Sequence, residues 1–263
     1  MARLMNLDRM ISWSGQQSIF PFYHTLSPES LPHISHLYRV IKPEAFEKDL
    51  EELLKYFEPL GLGDYLEGRE GKNGKRSMVL SFDDGLKGCY DFVAPLLKKR
   101  VIQATFLLNN KFIDNKGLLY RYKASLLINN VRDDCRAREE EAARLKIDVN
   151  QLETAIGMIG WSQAALLDVL AHEAELDYSG YLRYRPVYMS STEVKDLLEW
   201  GFEIGAHSSD HMDFSQLEAE EIKQQVKSSI KDLKKRFGIK TAYFSFPFTS
   251  DGVSGKLIDE LLE

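Results

Sequence analysis

The stretch that most constrains this chain is SMVLSF, residues 77–82. A continuous apolar run of this kind is typical of a strand covered on both faces. Residues 86–100 then show helical spacing, with Lys98, Lys99 and Arg100 suiting the C-terminal end of the helix dipole. VIQATFLLN, residues 101–109, reads as a second strand. No tight hairpin signal joins the two strands, so they are expected to run parallel in an α/β architecture.

The flanking regions repeat this rhythm. SIFPFYH, residues 18–24, reads as a first strand, followed by a loop carrying Pro28 and Pro32. Residues 42–61 read as a helix that starts at Pro43, stops at Gly61 and puts Phe46, Leu50, Leu53, Leu54 and Phe57 on one face. Residues 118–184 break the rhythm with several helical patterns in succession. They are read as a helical insertion, bounded at 114–186, within one domain spanning 1–263; its Arg/Glu-rich middle reads as a solvated face. Ser190 and Glu193 then form a capping-box pattern, ahead of the strand FEIGAH. Ser215 and Glu218 suggest a second box, opening a helix with the stripe Ile222, Val226, Ile230, Leu233 and Phe237. TAYFSF reads as a further strand. KLIDELLE begins one more helix, and its apolar face lacks a stop signal, so the chain is expected to end within the fold.

Composition limits the function classes. A net charge of −6 and a pI near 5.6 argue against a nucleic-acid partner. Two distant cysteines, Cys89 and Cys135, make no disulfide framework and suit a reducing compartment. The N-terminus carries Arg3 and Arg9 but no apolar run of signal-peptide length. No stretch approaches the roughly 18 apolar residues of a membrane span. The expectation is a cytoplasmic protein.

The chemistry concentrates at two strand exits. Asp83 and Asp84 stand side by side after SMVLSF, and two like charges sharing a pocket need a cation or a shared proton to relieve them. AHSSDHMD, residues 206–213, comes directly after the strand FEIGA and places His207 and His211 four apart. Two neutral imidazoles and one carboxylate make a facial ligand set for a divalent metal. One of Asp83 and Asp84 can ligate, and the other can stay free to accept a proton from water. Sites collect at such strand ends in parallel α/β folds.

LSFDDG followed by HSSDH resembles the polysaccharide deacetylase family, the NodB-homology carbohydrate esterases of family 4. YFSFPFTSDG, residues 243–252, is similar to that family's third motif. The resemblance implies an irregular (β/α) barrel and a metal-dependent hydrolase that removes acetyl groups from an N- or O-acetylated sugar or polysaccharide. It implies that Asp83 is the general base and that Asp84, His207 and His211 hold the metal, usually Zn2+. The backbone N–H of Phe248 would stabilise the oxyanion, Pro247 would stiffen the loop, and Phe246 and Phe248 would flank the acetyl group. Two departures stand out. Ser245 occupies the place of an arginine found in many members, and no histidine comes after His211 to serve the late Leu-x-His motif. His24, His33 and His36 are the candidate replacements for that acid, with His24 the best placed; His33 and His36 otherwise read as surface-loop residues, and His172 as an exposed helix residue. These departures motivate a second reading, a catalytically inactive, metal-retaining carbohydrate-binding protein. A non-haem iron oxygenase shares the two-histidine, one-carboxylate set, but Asp83 and the parallel pattern disfavour it.

Overall fold

The computed structural model describes residue 11 and residues 13–71 and 75–262; Arg3 and Arg9 lie outside the described residues. The expected first strand is two short ones, β1 (Ser18–Ile19) and β2 (Phe22–Tyr23). They separate around Pro21, which has no N–H to give a ladder. Helix α1 (Pro43–Leu53) starts at its proline but ends before Phe57. The face read through Phe57 is therefore corrected: Phe57–Leu60 is strand β3, and Gly61 is the extended residue ahead of a short helix α2 (Leu62–Leu66). Pro59 excludes a helix interior, and Tyr56 and Phe57 favour extended backbone.

SMVLSF also divides, into β4 (Arg76–Val79) and β5 (Ser81–Phe82) on either side of the fully buried Leu80. After a π-turn at Cys89–Val93 come α3 (Ala94–Lys99) and β6 (Thr105–Leu108). Cys89 is a buried free thiol.

Five helices come next: α4 (Tyr120–Asp133), α5 (Cys135–Leu145), α6 (Leu152–Gly157), α7 (Ala164–Glu173) and α8 (Tyr178–Tyr184). Leu127, Val131, Leu152, Ile156, Leu167 and Leu170 gather in an apolar cluster, which also takes in Ile34 and Leu86 from outside the helices. His172 is exposed on α7, as its pattern suggested. The chain then returns through α9 (Ser191–Glu199), with the Ser190–Glu193 box formed, to β7 (Glu203–Ala206).

The second expected box moves one turn along. Helix α10 (Ala219–Phe237) is capped by Glu218 with Glu221, because the Ser215 N–H and hydroxyl are both taken by Asp213 in a 3-10 turn. Ile222, Val226 and Leu233 are buried, while Ile230 and Phe237 are partly so. TAYFSF makes one parallel bridge, Phe244 to Ala206, and no longer strand. That close approach needs Gly205, where a Cβ would lie 2.9 Å from the Tyr243 carbonyl oxygen and 2.6 Å from Leu107. Helix α11 (Gly255–Leu262) seats Leu257 against Phe214, Ile222 and Val226.

All strand pairs are parallel, as expected. They form two sheets, ordered β1-β4-β3 and β2-β5-β6-β7, divided at Pro21 and Leu80. The Glu203 carboxylate on β7 ties the second sheet to the start of α2: it accepts from the N–H groups of Leu62 (2.7 Å) and Gly63 (2.9 Å) and from the Thr105 hydroxyl (2.8 Å). Among the described residues no single helix is long and apolar enough to cross a membrane.

One expectation fails instructively. His33 is buried, not on the surface, and its Nδ1 meets the Tyr181 hydroxyl at 2.8 Å. Burial, with Arg185 adding to it, pushes its pKa down to about 3. The imidazole is thus neutral in the fold but takes a proton below about pH 6.5 when unfolded. Stability from this group is full above about pH 6.5 and declines as the pH falls toward 3. At pH 5 the loss relative to pH 8 should be about 2 kcal/mol. Denaturant titrations at the two pH values should show His33→Gln relieved of that part of the decline; identical pH dependence in both proteins would refute it.

Candidate active site

The register of the second sheet builds the site. Tyr23 pairs with Phe82, and Phe82 with Phe106, across β2, β5 and β6. Their rings stack at 5.8 and 5.3 Å, and Phe46 closes edge-on against Tyr23 and Phe82. This aromatic row ends the core. The residue immediately past each strand is His24 after β2, Asp83 after β5, Asn109 after β6 and His207 after β7. The carboxyl ends of parallel strands are where ligands meet such sheets.

Asp84 and Gly85 both adopt left-handed backbone, with φ of 70° each. Aspartate tolerates that region better than most side chains, and glycine adopts it freely. The turn drops the Asp84 side chain inward. Asp84 is 3% exposed, and its Oδ1 has no hydrogen-bond partner. That oxygen lies 3.3 Å from His211 Nε2 and 3.7 Å from His207 Nε2. The other oxygen, Oδ2, accepts from the Tyr122 hydroxyl at 2.8 Å. Burial opposes the charge of Asp84, but His211, His207, His24 and the Tyr122 hydrogen bond favour it and hold the carboxyl below its ordinary range.

The two imidazoles arrive ready to ligate. His207 Nδ1 donates to the Ser245 carbonyl at 3.0 Å, which leaves the Nε2 lone pair directed at Asp84. Burial holds His207 down at about 3, so it is neutral at ordinary pH. His211 sits at φ 58° and is shifted in the same direction, again chiefly by burial. Its N–H donates to the Ser208 hydroxyl at 2.9 Å. Asn109 pins the loop by donating to the carbonyls of His207 and Ser208, and Gln225 of α10 accepts from the Ser209 N–H at 3.0 Å. Asp84, His207 and His211 are all buried, with one donor atom from each inside a 4.8 Å span. An orphaned carboxylate oxygen facing two imidazole Nε2 atoms suits a divalent cation.

Asp83 stands beside this set with its Oδ1 also buried and unpartnered. Burial, and then the adjacent Asp84, pushes its pKa up to about 8. Both carboxylates form the floor of a cavity of about 490 Å3. His24, Phe246 and Phe248 also line it, together with His207 and His211. His24 tilts against Tyr38, 4.8 Å away. Phe246 packs against Phe214 and Phe244 as well as lining the cavity, so it serves core and site together. Phe248 adopts φ 59° after Pro247, meets the His211 ring edge-on at 4.6 Å and is 43% exposed. Among the described residues its backbone N–H has no acceptor. His33 and His36 do not line this cavity.

Three site residues escaped the sequence reading. Asn109 had a visible signal, a polar residue closing an apolar strand. Tyr122 and Arg121 had none, because they reach the strand ends from α4. The Tyr122 hydroxyl leaves Asp84 one oxygen for a cation. Tyr122→Phe should therefore weaken divalent-metal affinity by about 10–100-fold. Competition titration against a chromogenic chelator measures this, with His207→Ala as the variant that abolishes binding; wild-type affinity in Tyr122→Phe would refute the role.

The family model for polysaccharide deacetylase matches residues 70–259. A comparison with curated proteins found no significant match. Solved structures share the fold at low identity. IcaB from Ammonifex degensii is 18% identical, with a TM-score of 0.57 over 94% of this chain and 80% of that one. The Streptococcus pyogenes deacetylase PplD, in complex with acetate, is 14% identical, with a TM-score of 0.56 over 92% and 79%. A de-N-acetylase from Aggregatibacter actinomycetemcomitans is 14% identical, with a TM-score of 0.54 over 93% and 84%. The matched span holds Asp83, Asp84, His207, His211 and Phe248, and the chain belongs to the polysaccharide deacetylase family.

Proposed function

We propose that this carbohydrate deacetylase releases acetate from an N-acetylated sugar, using a divalent cation held by Asp84, His207 and His211. The observation that carries the reading is the buried, unpartnered Oδ1 of Asp84 between two Nε2 atoms, beside an equally unpartnered Asp83. Zinc suits two imidazole nitrogens and one carboxylate with open positions for substrate. When bound, the cation supplies Lewis-acid polarisation of the acetyl carbonyl and a more acidic water.

The residues divide the remaining work. Asp83 retains its proton most firmly while the Asp84 charge is uncompensated. Burial is the larger cause of that retention; neutralising the Asp84 charge removes the smaller one and favours the ionised form, which would accept a proton from the attacking water. The N–H of Phe248 is available to the oxyanion; one such donor is worth about 3–4 kcal/mol. His24, which also lines the cavity, is the proposed proton donor to the leaving amine.

A binding role without turnover is favoured by one observation, Ser245, which leaves Asp83 without the arginine partner many members have. One experiment separates the two. Acetate release should be measured from N- and O-acetylated oligosaccharides, after chelation and after reloading with zinc. Turnover should require the metal, and Asp83→Asn should lower kcat by roughly 10²–10⁴-fold while retaining the metal. A metal-loaded protein that binds these saccharides and releases no acetate would establish the binding role instead.

A further inference from the structure

Arg121 is the charged residue of the cavity wall that this chemistry leaves unused. It comes from the first turn of α4, next to Tyr122, whose hydroxyl anchors that turn to Asp84. Its guanidinium carbon lies 4.3 Å from the centroid of the Phe248 ring, the same ring that meets His211. Its Nε donates to the Tyr120 hydroxyl at 3.2 Å. Arg100, Arg132 and Arg236 each hold a carboxylate, whereas Arg121 holds none among the described residues. It is solvent-exposed, and it is the one lysine or arginine among the described residues that line the cavity.

A guanidinium is charged at every working pH, and its planar fork of donors matches a carboxylate or phosphate. The contact with Phe248 holds the Arg121 guanidinium at the cavity wall, and among the described residues only its Nε is taken by a hydrogen bond. The cavity, about 490 Å3, has room for a sugar ring with its substituents. Phe20 and Phe22, 53% and 63% exposed, also line the cavity and present apolar faces with no charge. The single cationic point on the wall therefore polarises what the cavity accepts.

Resting on the deacetylase reading of this site, we infer that Arg121 determines substrate specificity by binding an anionic group, a carboxylate or a phosphate, carried close to the acetylated sugar. Such a contact would add affinity for an anionic chain without altering the chemistry at Asp83 and Asp84.

The test uses three probes on the metal-loaded protein: neutral tetra-N-acetylchitotetraose, a tetrasaccharide alternating N-acetylglucosamine with glucuronate, and a phosphorylated N-acetylglucosamine disaccharide. Wild type should prefer one or both anionic probes, and the one preferred identifies the anion. Arg121→Ala should raise KM for that probe by about tenfold or more, the effect of losing a charge-assisted hydrogen bond. Its kcat, its metal content and its KM for the neutral probe should stay unchanged, and Arg121→Lys should recover part of the preference. Wild type with no anionic preference, or Arg121→Ala weakening neutral and anionic probes alike, would overturn the inference. If no probe releases acetate, the deacetylase reading fails. Calorimetric binding to Asp83→Asn, with and without Arg121→Ala, then decides the role of Arg121 by the same comparison.

Discussion

The structure is organised around one electrostatic problem, two carboxylates buried side by side at the end of β5. An unpaired buried charge is costly, and a second one beside it more so. Every element that reaches the site bears on that cost. α4 sends the Tyr122 hydroxyl to one oxygen of Asp84. The loop after β7 sends two neutral imidazoles toward the other. The remaining imbalance falls on Asp83, whose proton is held by burial and by its neighbour's charge. The retained proton of Asp83 relieves the imbalance in one way, and a cation between Asp84, His207 and His211 would relieve it in another.

Holding the ligands in place falls to backbone that departs from regular structure. Asp84, Ser208, His211 and Phe248 all have positive φ. Residues held in such conformations persist where their surroundings over-determine them, and they cluster at functional sites. Asn109, Gln225 and the Ser245 carbonyl supply that surrounding support. The Ser245 contact also sets the His207 tautomer, so the segment that replaces an expected strand by a single bridge still has a defined task.

The helices between β6 and α9 contribute more than bulk. Their apolar cluster includes Tyr122, so the packing that stabilises them also sets the position of the Asp84 donor. Leu119 and Arg121 line the cavity from the same turn. A change in that packing would be felt at the strand ends, through one hydroxyl and one ring.

Pro247 and Phe248 were legible only through the resemblance of residues 243–252 to a family motif, whereas the sequence by itself determined the α/β class, the parallel strands and the placing of Asp83, Asp84, His207 and His211 at strand exits. These are local signals: apolar runs of strand length, helical spacing, and charged residues placed where a strand must end. The sequence did not show the divisions at Pro21 and Leu80, the strand at Phe57–Leu60, the later cap at Glu218 or the burial of His33. The division at Pro21, the strand with Pro59 and the cap displaced by the Asp213 contacts to Ser215 follow from local chemistry that periodicity does not weigh, whereas the burial of His33 depends on Tyr181, far away in the chain. Nor did it show that Tyr122, 38 residues from Asp84, would be its hydrogen-bond donor, or that Arg121 would stack on Phe248. Periodicity says which face of a helix is apolar, but only packing decides which strand end that face meets.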